Sequence, residues 1–145
     1  MYSAISVTQA ISKHFLLNGR KSLTEPVVQA HLYNIQKEAY RQTGKPLIKE
    51  QFFAGPDGPF IPMVRDGFPS YAIFQEPEEM DAVSIRVIET TLASPSRPPV
   101  KDFAWRKARV PLTPSAEKAK PIQEEWIAEE VARERVRDER IGMRA

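Results

Sequence analysis

Apolar residues recur at three- and four-residue steps from the start of the chain. Ala4, Val7, Ile11 and Phe15, with Ile5 beside them, predict a helix over about residues 3–17. Asn18-Gly19 then supplies two residues that tolerate the left-handed conformation in which helices end. A second period, Val28, Leu32, Ile35 and Ala39, predicts a helix over about residues 25–42. Thr24 offers it an N-cap hydroxyl, Glu25 and Pro26 suit its first turn, and Gly44 followed by Pro46 stops it.

Beyond Pro46 the period changes. Leu47 to Phe53, containing Ile48, Phe52 and Phe53, is short and reads as an extended segment or strand. Three prolines between Gly55 and Pro62 exclude a regular helix there. Tyr71-Ala72-Ile73-Phe74 is a second extended candidate, and the two segments are expected to pair as a small ribbon. Helical spacing returns over Glu78 to Leu92, with a stripe of Met80, Val83, Val87 and Leu92 flanked by Ile85 and Ile88. Six prolines between Pro95 and Pro121 predict a linker or an extended strap. Ile122 to Ile141 has one more helical composition, rich in Glu, Arg and Ala, with its acids early and its arginines late, as the helix dipole favours. The expected fold is therefore mainly α. A compact helical domain over residues 1–94 carries a small two-stranded β element, a Pro-rich strap that includes Trp105 covers 95–121, and a charged amphipathic helix covers 122–145.

Composition narrows the function. A folded part of this 145-residue chain can bury roughly 60–70% of its unfolded surface, enough for one core without staples. With no cysteine there are no disulfides, thiolate metal sites or cysteine nucleophiles, which fits a cytoplasmic setting. The longest uninterrupted run of large apolar residues, Phe15-Leu16-Leu17, predicts neither a signal peptide nor a membrane span. Twenty-one Lys and Arg against 19 Asp and Glu leave a net charge of +2, so total charge alone does not select nucleic acid as a partner.

Candidate chemistry is sparse. His14 and His31 are the only imidazoles; both lie beside apolar helix positions, where a structural histidine is the simpler reading. Glu78, Glu79 and Asp81 follow Pro77 at a helix start, where carboxylates stabilise the dipole. Lys101, Arg106, Lys107 and Arg109, with Arg97 upstream, interleave with Phe103 and Trp105. That pattern can track a nucleic-acid backbone, but it equally suits aromatic side chains docked on the domain with their cations in water, which is the favoured reading. On the terminal helix, Trp126, Ile127 and Val131 are candidate anchors for a protein partner or for a second copy of the chain; packing of Trp126 back on its own domain is the alternative. No cofactor or metal motif is present.

One stretch resembles a known family. The helix Val28-Gln29-Ala30-His31-Leu32-Tyr33, the turn Thr43-Gly44-Lys45-Pro46-Leu47 and the loop from Phe53 through Ala54, Gly55, Gly58 and Pro59 to Pro62 follow one another in order. Together with Trp105-Arg106-Lys107-Ala108-Arg109 they resemble the Panacea domain of antitoxins and phage-associated proteins, over roughly residues 3–110. Ala30 and His31 stand where that family usually has lysine and leucine. The resemblance implies a helical fold with a small β element, in which Tyr33, Gly44, Pro46, Phe53, Ala54, Gly58, Pro59 and Trp105 are structural. It also implies a non-enzymatic role, neutralising a toxin by direct contact, with a mobile-element inhibitor of a host defence complex as the alternative on the same scaffold.

Overall fold

The computed structural model describes residues 1–17, 23–68, 77–94, 101–109 and 119–143. Among these the fold is mainly α, with six helices and a small three-stranded antiparallel sheet. The helices are α1 (Ala4–Leu17), α2 (Glu25–Thr43), α3 (Pro62–Gly67), α4 (Ala82–Ala93), α5 (Phe103–Ala108) and α6 (Glu124–Met143). The strands are β1 (Phe53–Gly55), β2 (Gly58–Phe60) and β3 (Lys120–Pro121).

Helix α2 is central, with α1, α3, α4, α6 and β2 all packed on it. It is consequently buried on nearly every side, and its polar residues Gln29, His31, Gln36 and Lys37 are buried along with Val28, Leu32, Tyr33 and Ile35. A helix enclosed in this way has to find partners for those polar groups inside the protein, because a buried polar atom left unbonded costs about 1–3 kcal/mol. Two glutamines seven residues apart meet this demand by holding backbone. Gln29 accepts from the Ile61 amide at 2.9 Å and donates to its carbonyl at 3.1 Å. Gln36 accepts from the Leu47 and Ile48 amides at 3.1 and 2.8 Å and donates to the Ile48 carbonyl at 3.0 Å. The chain entering and leaving the β-hairpin is thereby fastened to one face of α2.

Helix ends follow their local chemistry. The Ser3 hydroxyl accepts from the Ser6 amide at 3.1 Å, and Glu50 accepts from the Ala4 amide at 2.6 Å, so two otherwise unpaired donors of α1 are satisfied. Thr24 stands at the N-cap of α2 in an extended conformation, but its side chain makes no capping bond, contrary to expectation. Pro26, in the first turn, has no amide to be capped. Gly44 closes α2 at φ 73°, its amide donating to the Tyr40 carbonyl. Helix α4 begins at Ala82, later than the periodicity suggests, because Asp81 caps it through a 2.7 Å bond from the Ser84 amide.

The β element departs from its prediction. Tyr71–Phe74, the expected partner strand, lie outside the described residues. Strand β1 instead pairs with β2 across a two-residue turn, in the register Phe53↔Phe60, Ala54↔Pro59 and Gly55↔Gly58, and with β3 on its other side. Prolines rule out a helix and a central strand, yet Pro59 and Pro121 sit in edge strands, where no second ladder needs their missing amide. Gly58 takes φ 127°, a conformation other residues rarely adopt, which allows the tight reversal. The strap is not wholly extended either: Asp102 caps the short helix α5 by accepting from the Phe103 amide at 3.0 Å.

Candidate functional site

The seam between α2 and α6 holds the densest polar network. Tyr33, Lys37 and Arg41 follow one another at four-residue steps on α2; Glu130 and Glu134 do the same on α6. Glu130 is only 2% exposed. Its carboxylate accepts from the Tyr33 hydroxyl at 3.0 Å and from the Ala104 amide at the start of α5 at 3.1 Å, and it lies 3.1 Å from the Lys37 ammonium. Glu134 bridges Lys37 and Arg41. Burial pushes the Tyr33 phenol well above the ordinary tyrosine range, and the Glu130 carboxylate pushes it further. Burial alone would pull the Arg41 guanidinium down; Glu38 and Glu134 outweigh it, so the net direction is up. At the first turn of α6, Glu124 accepts from Tyr40 at 2.7 Å and from Gln36 at 3.2 Å. Burial raises the Glu124 carboxyl and these two hydrogen bonds partly offset the rise. Every one of these groups is committed to a contact within the chain.

The residues that carried the family resemblance converge on the hairpin. Tyr33 meets Phe52 edge to face at 5.4 Å between ring centroids. Phe53, Ala54, Gly58 and Pro59 form the paired strands, Gly44 and Pro46 turn the chain toward them, and Ala54 is fully buried. Trp105 donates its indole N–H to the Gly55 carbonyl at 2.7 Å, and Arg109 donates to the Ala54 carbonyl at 2.9 Å, so α5 is fastened across β1. A side chain on Gly55 would meet the Phe60 ring at 2.8 Å, so the strand needs glycine there to pass the aromatic ring.

The basic and aromatic residues of this region face one another. Lys101 and Arg109 lie over Trp105, Lys107 over both Phe103 and Trp126, and Arg133 over Phe103 at 4.0 Å. Asp102 and Glu129 pair with Arg106, Lys107 and Arg133. Arg97 lies outside the described residues.

The terminal helix is placed differently from its expected role at a partner interface. Ile127 and Val131 are buried in the chain's own interior, and Trp126 is partly buried against the same core. The physical reason is the enclosure of α2, whose flank exposes Tyr33 and Lys37 unless α6 covers it. Ile127 and Val131 are not available to a partner as anchors while α6 is docked, whereas Trp126 keeps part of its surface exposed. His31 is likewise buried, with its ring 5.4 Å from Phe15.

The surface with the character of a docking site lies elsewhere, between α1 and α4. Ala10, Lys13, His14 and Leu17 of α1 and Ile85, Ile88 and Leu92 of α4 line a groove of about 500 Å³, together with Met80 and Pro77. Both helix faces have i, i+3, i+7 spacing. Leu17 is 78% exposed and Ile85 43% exposed. Glu78, Glu79 and Glu89 stand on the rim. The sequence pattern had obscured this groove, because the apolar positions of α4 run into one another. Val87 and Ile88 are both buried in the core, Leu92 is partly buried against it, and Ile85 is the apolar side chain of this face left well exposed at the groove. Among the described residues no group of three or more His, Cys, Asp or Glu is placed to hold a metal ion, and no helix is long and apolar enough to cross a membrane.

No protein family, no curated protein and no solved structure matches the chain.

Proposed function

We propose that this protein is a non-enzymatic binding module of the Panacea type, which neutralises a partner protein in the cytoplasm by direct contact. The observation that carries the reading is the α1/α4 groove, with an apolar floor made by two helix faces and a charged rim. Exposed apolar surface of this kind is the usual mark of a site for another protein, and a groove between two helices suits a partner helix. The Panacea assignment is supported by the way Tyr33, Ala54, Gly58 and Trp105 gather around one hairpin. An antitoxin role is the simplest use of such a module.

Nucleic acid ranks lower as a partner. Phe103, Trp105 and Trp126 each carry one or more of the chain's own cations over the ring, and two of those cations, Lys107 and Arg133, are paired with Glu129. A base would have to displace these cations before it could stack in their place.

The test is co-purification of the tagged full chain with the product of the adjacent gene. A stoichiometric complex is expected, lost in Leu17→Asp and Ile85→Asp, whose exposed side chains leave folding intact by circular dichroism. A chain that forms no complex, or a complex indifferent to both substitutions, would overturn the reading.

A further inference from the structure

Building on the reading of the α1/α4 groove as a protein site, we infer that its occupant is an amphipathic helix whose apolar stripe is flanked by lysine or arginine. Two features of the groove select that chemistry. Its lining repeats at helical spacing on both walls, with Ile85 and Leu92, above the buried Ile88, opposite Ala10 and Leu17. A third helix laid between them can bury side chains at its own i, i+3/i+4 and i+7 positions, with its ridges seated in the grooves between theirs.

The rim decides the charge of the flanks. Glu78, Glu79 and Glu89 are all exposed, and none forms an ion pair with another described residue. Among the described residues, Lys13 and His14 are the rim's basic groups, both on the α1 side. Counting His14 as neutral, the three carboxylates and one ammonium of these described residues sum to −2. An occupant with acidic flanks would bring like charges together as the groove closes and water is expelled. One with basic flanks would gain three pairs there, and the rim would draw it in over a distance of about a Debye length.

The test uses the full chain and two labelled peptides of about 18 residues, each helical with leucine at i, i+3/i+4 and i+7. One has lysine on both flanks; its twin has glutamate at the same positions. Fluorescence anisotropy is read at low and at moderate salt. The lysine peptide is expected to bind roughly tenfold more tightly than its twin at low salt, the sum of a few exposed ion pairs. The preference should shrink as salt is added. It should invert in the double variant Glu79→Lys/Glu89→Lys, and binding of both peptides should vanish in Ile85→Asp. Equal binding of the two peptides, lost in Ile85→Asp, would overturn the charge inference while leaving the groove as a helix site. Binding of neither peptide, or binding untouched by Ile85→Asp, would overturn the groove reading and this inference together. Concentration-dependent dimerisation of the chain alone in sedimentation, abolished by Ile85→Asp, would show that a second copy fills the groove and would likewise overturn it.

Discussion

At the scale of single residues, two glutamates on α6 behave oppositely although both face α2. Glu130 is an acceptor that joins three elements: the Tyr33 hydroxyl on α2, the Ala104 amide opening α5, and its own helix. Removing it leaves the Tyr33 hydroxyl and the Ala104 amide without an acceptor in a region with little water, and leaves the Lys37 ammonium to Glu134 alone. Glu130→Ala is therefore expected to cost about 2–6 kcal/mol, from two buried donors left unbonded at about 1–3 kcal/mol each. Glu130→Gln, which keeps an acceptor oxygen, should lose less. Urea denaturation of the three chains gives the comparison, and an alanine variant as stable as the parent would refute the role. Glu124 is the contrary case. Burial holds its carboxyl above the ordinary value of 4.5, despite bonds from Tyr40 and Gln36 that favour the ionised form. Between 4.5 and its raised folded value the folded chain binds more protons than the unfolded chain. Its contribution to stability therefore falls as pH rises through the folded value and recovers as pH drops toward 4.5. Acidifying from neutrality should raise the stability of the parent relative to Glu124→Gln. A difference that stays flat across that window would mean the carboxyl titrates alike in both states.

At the scale of elements, α6 shows where sequence reading succeeds and where it stops. Its helical character was legible in composition, and its Glu-then-Arg polarity agrees with the dipole. Which face it buries was not legible, because that depends on contacts spanning some ninety positions, such as Tyr33 with Glu130. A mostly charged helix looks solvated until the complementary ladder on α2 is set against it. The same limit applies to the sheet: α1 and α2 announce themselves by long local periods, whereas each strand here is three residues or fewer and β3 comes from the far end of the strap. The candidate site failed for a related reason. The apolar positions of the 12-residue α4 run into one another in sequence, and only the packing shows that Val87 and Ile88 are buried while Ile85 stays exposed at the groove. Val131 tests the revised placement of α6. At 3% exposure, a glutamate there would bury a charge with no cation assigned to it, so Val131→Glu should destabilise the fold by more than about 3 kcal/mol. Thermal unfolding followed by circular dichroism measures it. An unchanged transition would return Val131 to the surface.

At the scale of the whole molecule, the question is whether α6 is an appendage or part of one cooperative unit. The division expected from the sequence puts a boundary after residue 121. The contacts cross that boundary. Ile122 and Ile127 are fully buried in the same core as Val28, Leu32 and Ile35, the Ile122 amide donates to the Phe52 carbonyl at 2.8 Å, and Gln51 donates to the Ile122 carbonyl. Glu124, Glu130 and Glu134 accept from Gln36, Tyr33, Tyr40, Lys37 and Arg41 along the flank of α2. A chain ending at residue 121 would expose that apolar surface and leave the polar flank of α2 to recruit water instead. Stability is a small difference between large terms, so losing one wall of a single core removes most of it. The full chain is expected to unfold in one transition, coincident by far- and near-ultraviolet circular dichroism, and residues 1–121 alone are expected to show no cooperative transition. If the shortened chain keeps a sharp transition, α6 is separable, Trp126, Ile127 and Val131 become available when it detaches, and the partner surface moves from the α1/α4 groove to the terminal helix.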